Sequence, residues 1–212
     1  MDVEHEGFSS PRGAEPPPFT GAARPGEPGA GLGDVADRIL VARAAEGDDD
    51  AFAVLVHRHS GRLLALAFHM LGNVPDAEEA VQDAFLSAWR RLPQFRGDAA
   101  FRTWMYRIVT NRCLNVRRAQ TPSLALDAVA EPAAHDAGGE PARAAESTAA
   151  TAALAQALTH LRPGQRACWI LRELHGLPYG EIAQVVGESE QTVRGRLFRA
   201  RRTLMKEMAS WR

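Results

Sequence analysis

Apolar residues recur at mixed spacings of three and four along most of the chain between residues 35 and 118, the period of amphipathic helices. Residues 35 to 46 and 50 to 71 carry Val35, Ile39, Val41, Phe52, Leu55, Val56, Leu63, Leu66, Ala67 and Met70, and Gly72-Asn73 predicts the stop. Pro75 and Asp76 then open another helix. Proline's missing donor costs nothing in a first turn, and a carboxylate there meets the positive end of the dipole. Its stripe is Ala77, Val81, Ala84, Phe85, Ala88 and Leu92, with Pro93 as terminator. After a loop from Gln94 to Asp98, Phe101, Trp104, Met105 and Ile108 begin a helix of about 20 residues, about 30 Å long, that finishes in Arg117-Arg118. Further helices are predicted over 149–161, 163–175, 179–186 and 190–208, with breaks at Gly176-Leu177-Pro178 and Gly187. No period-two pattern of a strand occurs, so the expected fold class is all-α.

Two stretches break this pattern. Residues 9 to 33 hold six prolines among many Gly and Ala, too little apolar material to offset the entropy of ordering. Residues 120 to 148 repeat that composition with Pro122, Pro132, Pro141 and Gly138-Gly139. The expected organisation is a disordered tail over 1–34, a helical module over 35–118, a flexible linker over 119–148 and a second helical module over 149–212. Fully extended, the linker reaches about 95 Å at about 3.3 Å per residue, so the modules need not touch.

The net charge of −1 hides a division along the chain. Tail and linker each carry −4, whereas residues 35–118 carry +2 and residues 149–212 carry +5. Basic modules joined by an acidic tether suggest folded parts that meet polyanions. Cys113 and Cys168 form no CxxC spacing and suit a reducing compartment. The longest apolar run, Leu63 to Phe68, is too short for a membrane span or a signal peptide. The expected location is the cytoplasm, without membrane insertion.

The most specific local signal lies between residues 178 and 208. Ile182, Ala183 and Val186 form the buried side of a short helix, Gly187 supplies a sharp turn, and Gln191-Thr-Val193 starts a second helix. This is helix-turn-helix spacing. Arg194, Arg196, Arg199, Arg201, Arg202 and Lys206 follow with no acid between 194 and 206. Unpaired arginines repeated on one helix repel one another unless a polyanion neutralises them. Arg194, Phe198 and Arg199 share a face suited to the major groove, where Arg pairs with guanine and Phe meets a thymine methyl. Arg201, Arg202 and Lys206 suit phosphates. Such a motif alone fits many regulators.

In the first module, Asp76, Glu79, Gln82 and Asp83 make an acidic helix face that fits a basic partner surface; a merely solvated helix start is the alternative. Phe95, Arg96, Trp104, Tyr106, Arg107, Asn111, Arg112, Asn115, Arg117 and Arg118 interleave aromatic rings and cations as single-stranded DNA requires. Trp104 and Phe101 lie on the apolar stripe and read first as core. Phe95, in a loop beside Arg96-Gly97, reads the other way. Asn111 is equally well a helix-surface residue with no ligand.

The runs Asp76-Ala-Glu-Glu-Ala-Val-Gln-Asp-Ala-Phe-Leu-Ser-Ala-Trp89, Phe95-Arg-Gly-Asp98, Phe101-Arg-Thr-Trp-Met-Tyr-Arg-Ile108 and Thr192-Val-Arg-Gly-Arg-Leu-Phe-Arg-Ala-Arg201 stand in order across the linker. Together they resemble regions 2 and 4 of an extracytoplasmic-function sigma factor of the sigma-70 family. The resemblance implies a promoter-specificity subunit of RNA polymerase. Its partners would be core polymerase, through the clamp helices and flap of the large subunits, promoter DNA in double- and single-stranded form, and an anti-sigma protein. On the same terms Asp76, Glu79, Gln82 and Asp83 would dock on the clamp helices. Phe95, Arg96, Arg107, Asn111, Arg112, Asn115, Arg117 and Arg118 would meet the minus-10 element, with Asn111 and the Phe95 loop at a flipped base. Thr192, Arg194, Arg196, Phe198, Arg199, Arg201 and Arg202 would meet the minus-35 element. Gly195 stands where the family commonly has Ser, which weakens the helix by up to about 1 kcal/mol relative to Ala. The resemblance also places the acidic linker near the polymerase active centre and RNA exit path; a passive spacer is the alternative.

Two other classes compete. A helix-turn-helix regulator that only binds duplex DNA leaves Phe95 to Arg118 without a task. A metalloenzyme would draw on His57, His59 and His69, but on a helix His57 and His59 point about 200° apart, with no carboxylate placed to complete a site. No metal, cofactor or catalytic residue is implied; the chemical step belongs to the polymerase.

Overall fold

The computed structural model describes residues 36–120 and 153–208. The expected tail and nearly all of the expected linker lie outside the described residues, as does the acidic path assigned to the linker. Every regular element among the described residues is helical.

Helix α1 is Asp37–Ala45, α2 Asp49–Leu71, α3 Val74–Arg91 and α4 Phe101–Gln120, with a 3-10 turn over Leu92–Gln94 after α3. Their ends follow from local chemistry. The Asp48 carboxylate caps α2 by accepting from the Ala51 amide at 2.9 Å. Gly72 ends α2 at φ 89°, a left-handed conformation that suits a residue without Cβ. One residue later Asn73 caps α3, its side-chain oxygen accepting from the Asp76 amide at 2.8 Å, with Pro75 in the first turn.

The second group comprises α5, helical over 153–159, α6 (Pro163–Trp169), α7 (Tyr179–Val186) and α8 (Glu190–Met208). The chain after α6 does not stay α-helical to residue 175 as the sequence pattern suggests; Ile170–Leu174 widen into a π turn, and the His175 amide donates to the Ile170 carbonyl at 3.2 Å. Gly187 makes the turn between α7 and α8 at φ 68°. In α7 the fully buried positions are Ile182 and Val185, with Ala183 and Val186 only half-buried. Ile39, read as core from its spacing, is 46% exposed, and Leu40 points inward in its place beside Val41.

α2 packs on α1, α3 and α4, and α3 also packs on α4. α8 lies across α6 and α7, with a small separate cluster of Leu158, Leu161, Ala200 and Leu204 tying α5 to it. The two groups are not independent: α7 packs along α4, and one apolar core runs from Leu55 and Met105 through Ile170 to Ile182 and Leu197. Contact is favourable because α4 has two apolar or small-residue faces. Of the expected stripe Phe101 and Met105 are buried and Trp104 and Ile108 half-buried, with Val109 completing that face, whereas Thr103, Tyr106, Thr110 and Cys113 form a second buried row that the stripe does not reveal.

Candidate nucleic-acid interface

The contact between the two groups is polar at its edges. Thr103 Oγ1 donates to the Glu181 carboxylate at 2.9 Å, and the Tyr106 hydroxyl lies 3.2 Å from His175 Nδ1. Arg166, 3% exposed, donates from Nε to the His69 carbonyl at 2.8 Å, and its buried Nη1 has no partner. Burial pulls the Arg166 guanidinium down to about 10, helped by the nearby Arg117 charge. Burial, reinforced by His69, Arg62 and Arg102, pushes His175 down to about 4, so it is neutral here. Tyr106, grouped by sequence with the DNA-facing aromatics, is 2% exposed beneath this contact. No sequence signal distinguishes it, because its cover comes from residues 69 positions away.

On the other side of α4, Arg107, Asn111, Asn115 and Arg118 are exposed at spacings of four, four and three, which puts them in one stripe. Arg118 donates to the Asn115 side chain at 3.4 Å. Beside the stripe, α3 and α4 enclose a groove of about 490 Å³ lined by Asp83, Ser87, Arg91, Trp104, Arg107, Asn111, Arg112 and Asn115. Ser87 and Arg91 were not singled out in the sequence; their place at i+4 and i+8 from Asp83 on α3 is the signal that finds them. Trp104 is half-buried rather than core, its ring 4.8 Å from Phe95 and 5.8 Å from Phe101. Phe95 is likewise half-buried, stacked on the end of α4 rather than free in its loop, while Arg96 is exposed. Arg117 is half-buried.

The acidic face divides. Glu79 and Gln82 are exposed, but the Asp76 carboxylate accepts from Asn73 at 2.9 Å and from Gln120 at 2.7 Å. α4 therefore extends past Arg118 to Gln120, held at its end by this contact. Arg112 pairs with Asp83 and lies 3.5 Å from Glu79. One arginine of the expected DNA set thus sits against two carboxylates of the expected docking set.

On α8, Ser189 Oγ caps the helix, accepting from the Thr192 amide at 3.2 Å and meeting the Thr192 hydroxyl at 3.0 Å. The arginines are not uniformly unpaired. Arg194 reaches Glu190 at 3.3 Å and lies over the Tyr179 ring at 5.8 Å. Arg196 turns inward to Glu188 at 2.5 Å and is 25% exposed. Arg201 is held at 2.6 Å by Glu173, whose hydrogen bond raises the Arg201 pKa. Phe198 is 68% exposed, and beside it Arg199, Arg202 and Lys206 make no ion pair among the described residues. A Cβ on Gly195 would sit 3.5 Å from the Arg199 guanidinium, an ordinary contact, so the glycine is not required by space.

His59 is buried, pairs with Asp37 at 2.8 Å and is pushed down by burial despite that carboxylate, while His57 is exposed. Among the described residues no group of three His, Cys, Asp or Glu side chains is placed to hold a metal, and no helix is long and apolar enough to cross a membrane.

Two family descriptions match the chain: Sigma-70 region 2 over residues 55–122 and Sigma-70, region 4 over residues 151–204. The RNA polymerase sigma-H factor of Pseudomonas aeruginosa is 36% identical over 181 residues, 81% of this chain and 93% of that one. The ECF RNA polymerase sigma-E factor of Escherichia coli is 37% identical over 179 residues, 79% of this chain and 92% of that one. Among solved structures, CnrH in complex with the cytosolic domain of CnrY aligns with a TM-score of 0.62 at 32% identity, covering 82% of this chain and 97% of that one. The sigma factor RpoE in complex with the anti-sigma factor NepR from Bartonella quintana shares the fold, with a TM-score of 0.60 at 22% identity over 76% of this chain and 98% of that one. With both regions matched in order and relatives aligned along nearly their whole length, the chain belongs to the extracytoplasmic-function sigma factors of the sigma-70 family.

Proposed function

We propose that this sigma factor binds core RNA polymerase and directs initiation at promoters by meeting their minus-10 and minus-35 elements with different helices. In this reading residues 35–118 are region 2, 119–148 the tether and 149–212 region 4. The exposed part of the α3 face, Glu79 and Gln82, approaches a basic surface of the polymerase clamp, with Asp76 and Asp83 behind it. The minus-10 strand runs along Arg107, Asn111, Asn115 and Arg118, and an unpaired base enters beside Asn111 and the Phe95–Trp104 stack. Thr192, Arg194, Phe198, Arg199 and Arg202 face the minus-35 duplex, while Arg196 and Arg201 support α8 through Glu188 and Glu173. The observation that carries this reading is the α4 stripe beside its groove, a surface that a duplex-only regulator does not need. An anti-sigma protein is the expected antagonist, as the RpoE of Bartonella quintana that shares this fold is bound by the anti-sigma factor NepR. No chemical step is assigned to the chain.

Closed packing and promoter binding compete. Elements centred about 25 base pairs apart are separated by about 85 Å at about 3.4 Å per pair, whereas α4 and α7 touch through a hydrogen bond of 2.9 Å. The two groups must part when both elements are bound, and the buried, half-satisfied Arg166 offsets only part of the cost of exposing the apolar core they share. Adding the purified chain to core polymerase on duplex promoter fragments tests the function. Promoter-specific transcripts that require both proteins are expected. Duplex binding without any specific transcript favours the regulator reading.

A further inference from the structure

Arg112 stands between two sets of residues that the proposed function assigns to different partners. Its guanidinium pairs with Asp83 and approaches Glu79 at 3.5 Å, both on α3. Its neighbours on α4, Asn111 and Asn115, line the groove where the strand is placed. One guanidinium cannot neutralise the α3 carboxylates and a phosphate at once. The present arrangement is also incomplete, since the buried Arg112 Nε has no hydrogen-bond partner. The side chain is 38% exposed and opens into the groove, so it has room to turn without disturbing the core.

We propose that Arg112 is an exchange cation: the α3 carboxylates hold it in the free chain, and a basic polymerase surface docking on those carboxylates displaces it onto the minus-10 strand. The proposal rests on the docking face and strand path of the proposed function. Its physical basis is competition for the same carboxylate oxygens. A cation of the polymerase that captures Glu79 and Asp83 leaves Arg112 beside like charge, and the nearest relief is a phosphate in the adjoining groove. The free chain then holds one strand-binding cation masked until core polymerase arrives. Coupling of this kind is reciprocal, so strand binding must strengthen polymerase binding by the same factor.

The test uses the full-length chain, core polymerase and a non-template-strand oligonucleotide, with Arg112→Gln, Asp83→Asn and Gln82→Arg compared with wild type. Arg112→Gln is expected to tighten binding to core by about two- to fivefold, the range of a partly exposed ion pair, while weakening strand binding by the holoenzyme. It should also reduce the slope of log affinity against log salt by about 0.7, one phosphate on a single strand. Asp83→Asn is expected to do the reverse, weakening core binding while the free chain binds the strand more tightly. Gln82→Arg puts a cation on the docking face outside the cluster and is expected to weaken core binding. If it does so but Arg112→Gln and Asp83→Asn each shift both affinities in the same direction, the exchange is overturned and the docking face stands. If Gln82→Arg leaves core binding unchanged, the docking face fails and the exchange with it.

Discussion

The two basic helices, α4 and α8, are anchored differently. α4 is a shared wall: it packs on α2 and α3 with Met105 and Val109 buried, Tyr106 and Thr103 are covered from the α7 side, and only a narrow polar stripe is left outside. Even there Arg112 is occupied by Asp83 and Glu79. α8 buries one row, Val193, Leu197, Ala200 and Leu204, and turns Phe198, Arg199 and Arg202 to solvent. Its remaining arginines are paired with Glu190, Glu188 and Glu173 in ways that fix the helix and leave its outer face intact. The difference fits the two ligands proposed above. A duplex is a rigid rod that a ready-made helix face can meet, whereas an unpaired base must be enclosed, which a groove between two helices does.

The largest expected effect sharpens the structural half of this comparison. Met105 is fully buried where α4 meets its neighbours, and Met105→Ala should cost about 2 to 5 kcal/mol. Leu204 is 5% exposed in the small cluster between α5 and α8, and Leu204→Ala should fall at about 2 kcal/mol, the lower end of that range. Urea midpoints at constant m check both; an equal loss at the two sites would mean that α8 is held as firmly as α4.

Much of this architecture is legible in the sequence because its signals are local. Pro75 and Asp76 place the start of α3, Gly187 the turn, and Gln191 and Thr192 fall in the first turn of α8. What escapes the sequence depends on distant partners. Thr103 meets Glu181 across 78 residues, Tyr106 meets His175 across 69, and Arg166 meets His69 across 97. A hydrophobic period shows the dominant buried face of a helix, so α4's second face of Thr, Tyr and Cys passes for surface. The α4 stripe is legible from spacing alone, but the attachment of Arg112 to α3 is not, because either face of the helix start could have been solvated.

A smaller effect concerns the wall that α4 shares with the second group. His175 is held neutral there, its pKa lowered by burial from 6.5 to about 4, with Tyr106 against it and His69, Arg62 and Arg102 adding positive potential. The closed arrangement therefore binds fewer protons than the parted one. Its stability from this group is complete above pH 6.5 and declines as pH falls from 6.5 through about 4. His69, also lowered by burial, acts in the same direction. Urea midpoints measured between pH 7.5 and 5 should fall with acidification, by a smaller margin in His175→Gln. An identical pH dependence in that variant would contradict the buried, neutral state of His175.

The most direct test of the division between the two helices is a crossed binding measurement with holoenzyme, using a duplex that carries only the upstream element and a single strand that carries only the minus-10 element. Arg199→Ala should weaken the duplex by about 1 to 3 kcal/mol and relax base preference there, leaving the strand unaffected. Asn111→Ala should weaken the strand by about 1 to 3 kcal/mol and reduce promoter melting, leaving the duplex and core affinity unaffected. A crossed pattern is the expected result. If each variant weakens both ligands alike, or if Asn111→Ala leaves strand binding and melting unchanged, the assignment of strand to α4 and duplex to α8 is contradicted.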